Sequence, residues 1–319
     1  MRDIQETGLG IIAGAAVGDA LGAPLEFLPP RGPDDFVTEM VGGGLLRWKP
    51  GDITDDTIMA LGIMEMYLEH GCYNQNSIIT KWLEWKASSP KDIGNWTHKA
   101  LSAWEHPSVD RSITLSGVDN PALILWQANK DSAGNGAVMR CMPTAVARYQ
   151  DEDLLFKESV WLAFDTHPDP RCTLSCVIIN KLLKWGFDGL SKPEAFVKLL
   201  WELKSLPISN PKLRDAFEQF RDIPDYPWDE WENTGYTFDT IRCAMAAWMQ
   251  YDSFEEGLIR VVNRGNDADT VGAVAGALLG AYHGFKDIPK RWWEALGPEM
   301  NTRLVNNTKG LLEIGTINT

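Results

Sequence analysis

Two runs of glycines at four-residue spacing constrain the fold of this chain more than any other feature. The glycines that recur in this way are Gly10, Gly14, Gly18 and Gly22 near the start, and Gly272, Gly276 and Gly280 near the end. A glycine inside a helix costs about 1 kcal/mol relative to alanine, so each run must be compensated by a contact. A stripe of glycines lets another backbone approach closely. The spacing therefore predicts two helices in tight core contact, which we take to be antiparallel neighbours.

A membrane helix dimer is the competing interpretation of such a stripe. Neither apolar stretch reaches the roughly 20 residues that a membrane span needs, and Asp19 interrupts the first stretch. A signal peptide is equally disfavoured, because Asp3 and Glu6 lie where basic residues would precede its apolar run. We expect a cytoplasmic protein with no membrane span.

The remainder of the chain is also helical in its periodicity. With 319 residues, 44% of them hydrophobic, it can bury a large core. Four further segments have helix length and punctuated ends, namely "LLFKESVWLAFDTH", "RCTLSCVIINKLLKWG", "KPEAFVKLLWELKS" and "DTIRCAMAAWMQY". No series of alternating strands is evident. We predict an all-α fold in which residues 1–319 form one domain, with a long loop at residues 207–236.

The net charge and the cysteine content indicate which partners are disfavoured and which compartment the protein suits. A formal net charge of −14 disfavours attraction to nucleic acid or to anionic membranes. The five cysteines are odd in number and contain no CxxC pair, which favours buried thiols in a reducing compartment.

Acidic residues collect at the ends of the predicted glycine-striped helices. Glu26 follows the first of these helices, and Asp267 and Asp269 begin the second, so antiparallel packing would bring them together. Asp55 and Asp56 begin another helix in "GDITDDTIMAL". Five carboxylates in one place repel unless protons or cations lie between them. Oxygen ligands select hard ions, so we expect Mg²⁺ or Mn²⁺, as a pair of ions.

The competing interpretation is that these acids only cap helices. Asp, Asn and Thr are favoured at N-caps, and acids in a first turn are stabilised by the helix dipole. The same Asp and Thr chemistry recurs at two distant helix starts, however, where Thr54 and Thr270 add hydroxyl oxygens. Spacing alone leaves the cap and the metal site about equally supported.

The ordered set of motifs resembles the ADP-ribosylglycohydrolase family. The motifs that carry the resemblance are "GAAVGDALGAPLEF", "GDITDDTIMAL", "GNGAVMRCMP", "THPD", "GYTFDTIRCAMAAW" and "RGNDADTVGAVAGALLGAYHG". The resemblance implies a compact, orthogonally packed helical domain with a dinuclear Mg²⁺ or Mn²⁺ centre. Its implied ligands are Thr54, Asp55, Asp56, Asp267, Asp269 and Thr270, with Glu26 beside the metals.

The resemblance also implies a substrate site. Gly134, Asn135 and Gly136 precede a predicted helix, whose free N–H groups and dipole favour a phosphate, and the family match assigns the diphosphate to this loop. By the same match, His167 contacts phosphate or ribose, with Asp169 shaping its loop, and Tyr236 lies near the nucleotide. Without the match, the glycines would form an ordinary turn, His167 a helix end and Tyr236 a packing aromatic.

Asp92, in "SSPKDIGNWTHKAL", is a helix N-cap by spacing alone. By resemblance this segment is the substrate loop, in which Asp92 or Glu26 is the acid–base residue, although Trp96 replaces a residue that is often small and polar. The implied reaction releases ADP-ribose from an ADP-ribosylated protein by cleaving its bond to a side chain, with arginine as the expected acceptor. Alternatives are serine-linked or small-molecule conjugates, or a catalytically silent ADP-ribose-binding or crystallin-like protein.

Overall fold

In a computed structural model, residues 3–111, 117–129, 132–206 and 211–317 of the chain are described. Nearly all of the regular structure in these ranges is α-helix. Within these ranges the structure contains no β-strand, as expected of an all-α fold. The helices are α1 (Ile4–Gly22), α2 (Asp55–His70), α3 (Gln75–Ala87), α4 (Asn95–Trp104), α5 (Pro121–Ala128), α6 (Met142–Ala147), α7 (Glu152–Phe164), α8 (Pro170–Phe187), α9 (Lys192–Ser205), α10 (Pro211–Gln219), α11 (Thr237–Gln250), α12 (Phe254–Val262), α13 (Ala268–His283), α14 (Lys290–Ala295) and α15 (Pro298–Ile317).

Helices α1 and α13 are the predicted antiparallel pair, and they touch through their glycines. A Cβ atom added to Gly18 would lie 1.9 Å from the carbonyl oxygen of Gly272. One added to Gly276 would lie 2.0 Å from the carbonyl oxygen of Gly14. No side chain fits between the two backbones at these positions. The contact therefore compensates the glycines by allowing α1 and α13 to approach along their length.

The prediction that the first apolar stretch is too short to span a membrane was wrong. The segment Ile4–Leu25 has 22 residues and is the one described helix long and apolar enough to cross a membrane, by length and composition. In the structure, 94% of its apolar window is buried inside the protein. The segment thus has the surroundings of a core helix, because α13 and the other core helices cover it.

Helices α7, α8, α9 and α11 coincide with the four further segments predicted as helices. The predicted long loop at 207–236 was wrong for much of its length. Residues 211–219 form α10, followed by 3₁₀ turns at Phe220–Asp225 and Trp228–Glu230, while residues 207–210 lie outside the described part. Phe220, Ile223 and Trp231 are almost fully buried and attach this segment to the core. Burial of every cysteine was also expected, but Cys72 is exposed.

The buried hydrophobic side chains form one continuous cluster that extends from Ile11 to Leu312. A single domain would produce such a cluster, and the assignment of residues 1–319 to one domain stays a prediction. The cluster fixes α1 and α13 at its centre. As a result, the C-terminal end of α1 and the N-terminal end of α13 open at the same face of the protein.

Substitution of a contact glycine tests the role of the α1–α13 pair. We expect Gly18→Ala and Gly276→Ala each to lower the free energy of unfolding by about 1–3 kcal/mol or more, since the added methyl group overlaps backbone. Denaturant unfolding followed by circular dichroism measures this change.

Gly62→Ala is the matched control, because Gly62 lies inside α2 and an added Cβ would be 3.5 Å from the nearest atom, on Trp82. This variant should be as stable as the parent or up to about 1 kcal/mol more stable. Equal stability of all three variants would contradict the proposed role of the glycine contact.

Candidate functional site

A cleft of about 620 Å³ opens where α1 ends and α13 begins. Its lining includes most of the acids singled out in the sequence, together with the loop at 134–136 and His167. The predicted site residues that line it are Glu26, Asp55, Asp92, Gly134, Asn135, Gly136, His167, Asp267, Asp269 and Thr270. Thr54 and Asp56 are buried and lie outside this lining, as does Tyr236.

The start of α2 is held in place by Asp19, a fully buried residue of α1. Its carboxylate accepts hydrogen bonds from the backbone N–H groups of Thr54 and Thr57, at 3.0 Å and 3.1 Å, and from the Thr57 hydroxyl at 2.5 Å. Burial raises the pKa of Asp19 to about 6, against the opposing effect of these hydrogen bonds. The sequence showed Asp19 only as an interruption of an apolar run. In the structure it attaches α2, with Asp55 and Asp56, to the central helix pair.

The two threonines of the acidic motifs lie on either side of Asp56. One carboxylate oxygen of Asp56 accepts hydrogen bonds from the Thr54 hydroxyl at 3.2 Å and from the Thr270 hydroxyl at 3.4 Å. These contacts join the start of α2 to the start of α13. The two motifs are separated by about two-thirds of the chain and meet here, as their shared chemistry predicted.

The acids form a set of oxygen donors that fits hard divalent cations. Carboxylate oxygens of Glu26, Asp267 and Asp269 all lie within 4.8 Å of one another. One oxygen each of Glu26, Asp56 and Asp269 is buried and has no hydrogen-bond partner among the described residues. A buried carboxylate oxygen without a partner is costly unless a cation or a proton satisfies it. These donors therefore fit Mg²⁺ or Mn²⁺, which prefer oxygen ligands.

Burial, and after it repulsion between neighbouring carboxylates, raises the pKa values of these acids. Burial, together with the charges of Asp92, Asp267 and Asp55, raises the pKa of Glu26 to about 9. Burial and neighbouring carboxylates also raise the pKa of Asp55 and of Asp269 well above the ordinary range. Without a cation the group keeps protons that isolated carboxyls would lose at neutral pH.

Asp92 does not cap α4, because that helix begins at Asn95 and its N-cap is Gly94. The Asp92 carboxyl instead shares a hydrogen bond with that of Glu26, and burial raises its pKa. Two carboxyl groups joined in this way hold one proton between them. The structure thus rejects the N-cap interpretation and brings together the two candidate acid–base residues.

The loop at residues 134–136 differs from the phosphate loop predicted from sequence. A three-residue 3₁₀ turn, Val138–Arg140, follows it in place of a regular helix. The N–H of Asn135 is not free, since it donates to the carbonyl of Gly235 at 3.1 Å. The helix-dipole argument for a phosphate at this loop therefore does not hold.

Asn135 and Gly136 have other structural roles in the cleft. The Asn135 side-chain amide donates to the Thr240 hydroxyl at 2.8 Å and to the carboxylate of Asp267 at 2.5 Å, which orients that acid. A Cβ at Gly136 would lie 2.8 Å from the ring of His167, so glycine lets the loop rest on that ring. Only a residue without a side chain keeps this part of the cleft open.

His167 is buried beneath the loop and faces it. Burial, and secondarily the charge of Arg140, lowers the pKa of His167 well below its usual range, so the ring is neutral at pH 7. Its Nδ1 lies 2.8 Å from the Thr166 hydroxyl. Asp169 accepts from the N–H of Arg171 at the start of α8, as expected of a residue that shapes this loop.

Tyr236 lies just beyond the cleft lining. Its backbone pairs with that of Gly134, and its ring centroid is 5.7 Å from the guanidinium carbon of Arg171. Tyr236 is therefore adjacent to the cleft without lining it, whereas its neighbour Gly235 does line it.

Arg140 was missed in the sequence, although it ends the motif "GNGAVMR". Arg140 is almost completely buried, with 1% of the residue exposed. It donates to the carbonyl of Gly136 and to the Thr166 hydroxyl, both at 2.5 Å, and lies 4.1 Å from the centroid of the Trp82 ring. Burial lowers the pKa of Arg140 to about 10, so it stays charged and fixes two sides of the cleft. The only sequence signal was a charged residue within an apolar run.

The family model of the ADP-ribosylglycohydrolases matches residues 1–314, which is almost the whole chain. The chain belongs to this family. The match includes all the acidic motifs, the 134–136 loop and both glycine-striped helices. The family assignment derived from the ordered motifs is confirmed, and so is the all-α fold.

Two characterised relatives and one solved structure illustrate the membership. The ADP-ribosylarginine hydrolase Tri1 of Serratia proteamaculans is 31% identical over 294 residues, which are 90% of this chain and 74% of the relative. The ADP-ribosyl-[dinitrogen reductase] glycohydrolase of Rhodospirillum rubrum is 29% identical over 314 residues, covering 98% and 97% of the two chains. A solved ADP-ribosylglycohydrolase-related protein complex superposes with a TM-score of 0.81 at 30% identity, covering 99% of this chain and 100% of the other.

The titration of Glu26 predicts how this family member responds to pH without metal. A carboxyl whose folded pKa is raised from 4.5 to about 9 stabilises the fold at low pH, and this contribution is lost as the pH rises through 9. We therefore expect the metal-free protein to melt at a higher temperature at pH 7 than at pH 9, and Glu26→Gln to show a smaller difference. Calorimetry in EDTA across this interval measures both.

Asp34→Asn is the control, because Asp34 is exposed in a surface turn and lies outside the lining of the cleft. This variant should keep the parental pH dependence. An identical pH dependence in Glu26→Gln would show that the Glu26 carboxyl does not titrate in this interval.

Proposed function

We propose that this protein hydrolyses the glycosidic bond that links ADP-ribose to an arginine side chain of a modified protein, and that it requires Mg²⁺ or Mn²⁺. The observation that carries the proposal is the meeting of two separate acidic motifs with Glu26 and Asp92 in one cleft. The names of the Tri1 relative and the Rhodospirillum relative support the substrate class. The arginine acceptor rests on the first of these names and on the acidity of the cleft.

The acids and threonines of the two motifs would hold the ions. Their partnerless oxygens on Glu26, Asp56 and Asp269 face no described donor, so they are available as ligands. When bound, such ions neutralise the carboxylates, orient ribose hydroxyls and lower the pKa of a bound water. Asp19 positions the start of α2 by accepting hydrogen bonds from the N–H groups of Thr54 and Thr57, and Asn135 donates to the carboxylate of Asp267.

Cleavage of this bond proceeds through an oxocarbenium-like state and needs a proton for the leaving nitrogen. Asp92 and Glu26 share one proton, so one of the two carboxyls can donate while the other accepts. The proton would go to the guanidinium nitrogen as the C1″–N bond breaks, and the attacking water would return one to the pair. Gly134, Gly136 and the neutral His167 also line the cleft and would contact other parts of the ADP-ribose.

Direct assay of conjugates tests the proposal. We expect the metal-loaded protein to release ADP-ribose from ADP-ribosylarginine faster than from ADP-ribosylserine, and EDTA to abolish the release. Asp55→Asn and Asp267→Asn should each lose bound metal and nearly all turnover, because an amide keeps the shape and loses the charge. Mass spectrometry identifies products, and elemental analysis counts ions.

Asp34→Asn serves again as the matched control and should retain metal and turnover. Release that continues unchanged in EDTA would refute metal dependence. Binding of ADP-ribose without cleavage of any conjugate would instead indicate a silent binding protein.

Substitution of the paired carboxyls separates their roles. Asp92→Asn should lower turnover of ADP-ribosylarginine by about 10²–10⁴ while metal content and ADP-ribose affinity stay near parental, because Asp92 lies outside the metal motifs. Single-turnover rates and equilibrium titration with ADP-ribose measure the two quantities. If Asp92→Asn cleaves at the parental rate and Glu26→Gln is inactive, the acid–base role belongs to Glu26.

A further inference from the structure

Phe27 is a large apolar residue at the edge of the acidic cleft. It directly follows Glu26, lines the cleft and is 59% exposed. A phenylalanine ring gains little stability for the folded protein when most of it stays in water. Its position in a cleft of carboxyl groups points to a contact made only when the cleft is filled.

The backbone conformation of Phe27 is a second, independent indication of a functional role. Its φ is +61°, in the left-handed region that bulky residues rarely adopt. Two hydrogen bonds hold it there: the N–H of Phe27 donates to the carbonyl of Asn266 at 2.6 Å, and the N–H of Asn266 donates to that of Leu28 at 2.7 Å. Asn266 is itself left-handed, with a φ of +52°. Unfavourable conformations of this kind persist where surrounding structure enforces them, often at functional sites.

These hydrogen bonds tie the ring to the acidic centre. Asn266 immediately precedes Asp267, and Phe27 immediately follows Glu26, so the pairing fixes the ring relative to both acids. Glu26 and Asp92 line the same cleft as Phe27, which places Phe27 beside the candidate acid–base pair. The ring therefore lines the cleft next to both candidate acid–base residues.

The surroundings of the ring favour a planar cation. The face of an aromatic ring carries partial negative charge and attracts guanidinium groups, which also stack on it. Carboxyl groups at the edge of the same ring would accept hydrogen bonds from the guanidinium N–H groups. An adenine base is uncharged and would gain less from these acids, because only its N6 amino group can donate to them.

We propose that Phe27 is a specificity residue of the acceptor subsite, where its ring stacks on the guanidinium of the ADP-ribosylated arginine. The inference rests on the proposed function and assigns the arginine preference to one side chain. Serine conjugates lack a planar cation and would not use the ring.

Three substitutions at Phe27 distinguish the effect of its aromatic face from the effects of its apolar volume and of its left-handed backbone. Phe27→Tyr keeps the aromatic face, Phe27→Leu keeps apolar bulk without it, and Phe27→Gly removes the side chain while suiting the left-handed backbone. We expect kcat/KM for ADP-ribosylarginine to fall about 2- to 30-fold in the Leu and Gly variants, the range of a cation–π contact, and to stay near parental in Tyr. kcat/KM for ADP-ribosylserine and Kd for ADP-ribose should change less than 2-fold in all three.

The remaining outcomes would overturn the proposal. An equal loss on the arginine and serine conjugates would assign Phe27 a structural role, and a weakened Kd for ADP-ribose would place the ring on the nucleotide. Thermal melting of Phe27→Gly checks the fold, which should be as stable as in the parent.

If the parent cleaves no arginine conjugate, the proposed function fails. Equilibrium binding of intact ADP-ribosylarginine then tests the ring separately, because Phe27→Leu should weaken it and Phe27→Tyr should not.

Discussion

The backbone contact between α1 and α13 is the interaction on which the rest of the structure depends. Carbonyl groups of one helix occupy the space that side chains of the other would need, as at Gly18 and Gly272. Because the helices are antiparallel, this contact brings the residue after α1, Glu26, to the residues that start α13. The acidic centre is thus a consequence of how closely two helices can approach, and it lies where the glycine stripe ends.

Holding like charges together costs free energy, and the structure meets this cost through buried hydrogen bonds from several segments. Asp19 attaches the start of α2 to α1, Asn135 orients Asp267, and the threonines of both motifs converge on Asp56. The contacts of Asp19 and Thr270 cross from one helix to another, and that of Asn135 crosses from a loop to the start of α13. The carboxyl groups are therefore preorganised before any ligand arrives, which is what a site for hard cations requires.

The features that sequence reasoning predicted correctly have local periodic signals. Glycines every four residues and Asp with Thr at a helix start can be read from a few neighbouring letters, so the central pair and the convergence of acids were predictable. The contact between Asp92 and Glu26, the buried Arg140 and the hydrogen bonds of Asn135 depend on loops that only the whole fold positions. Helix α10 was missed because prolines and tryptophans obscure its period, and its apolar side became evident only through burial. The roles of the site residues remain predictions.

The central contact also determines when the chain can fold during its synthesis. Helix α1 is synthesised well before its partner α13, because most of the chain lies between them. Until then an apolar helix remains without the surface that covers it, and loop closure between distant segments makes the pairing intrinsically slow. An N-terminal portion that ends before α13 therefore exposes a long apolar helix that the complete fold buries, which makes chaperone binding or aggregation the main hazard of incomplete translation.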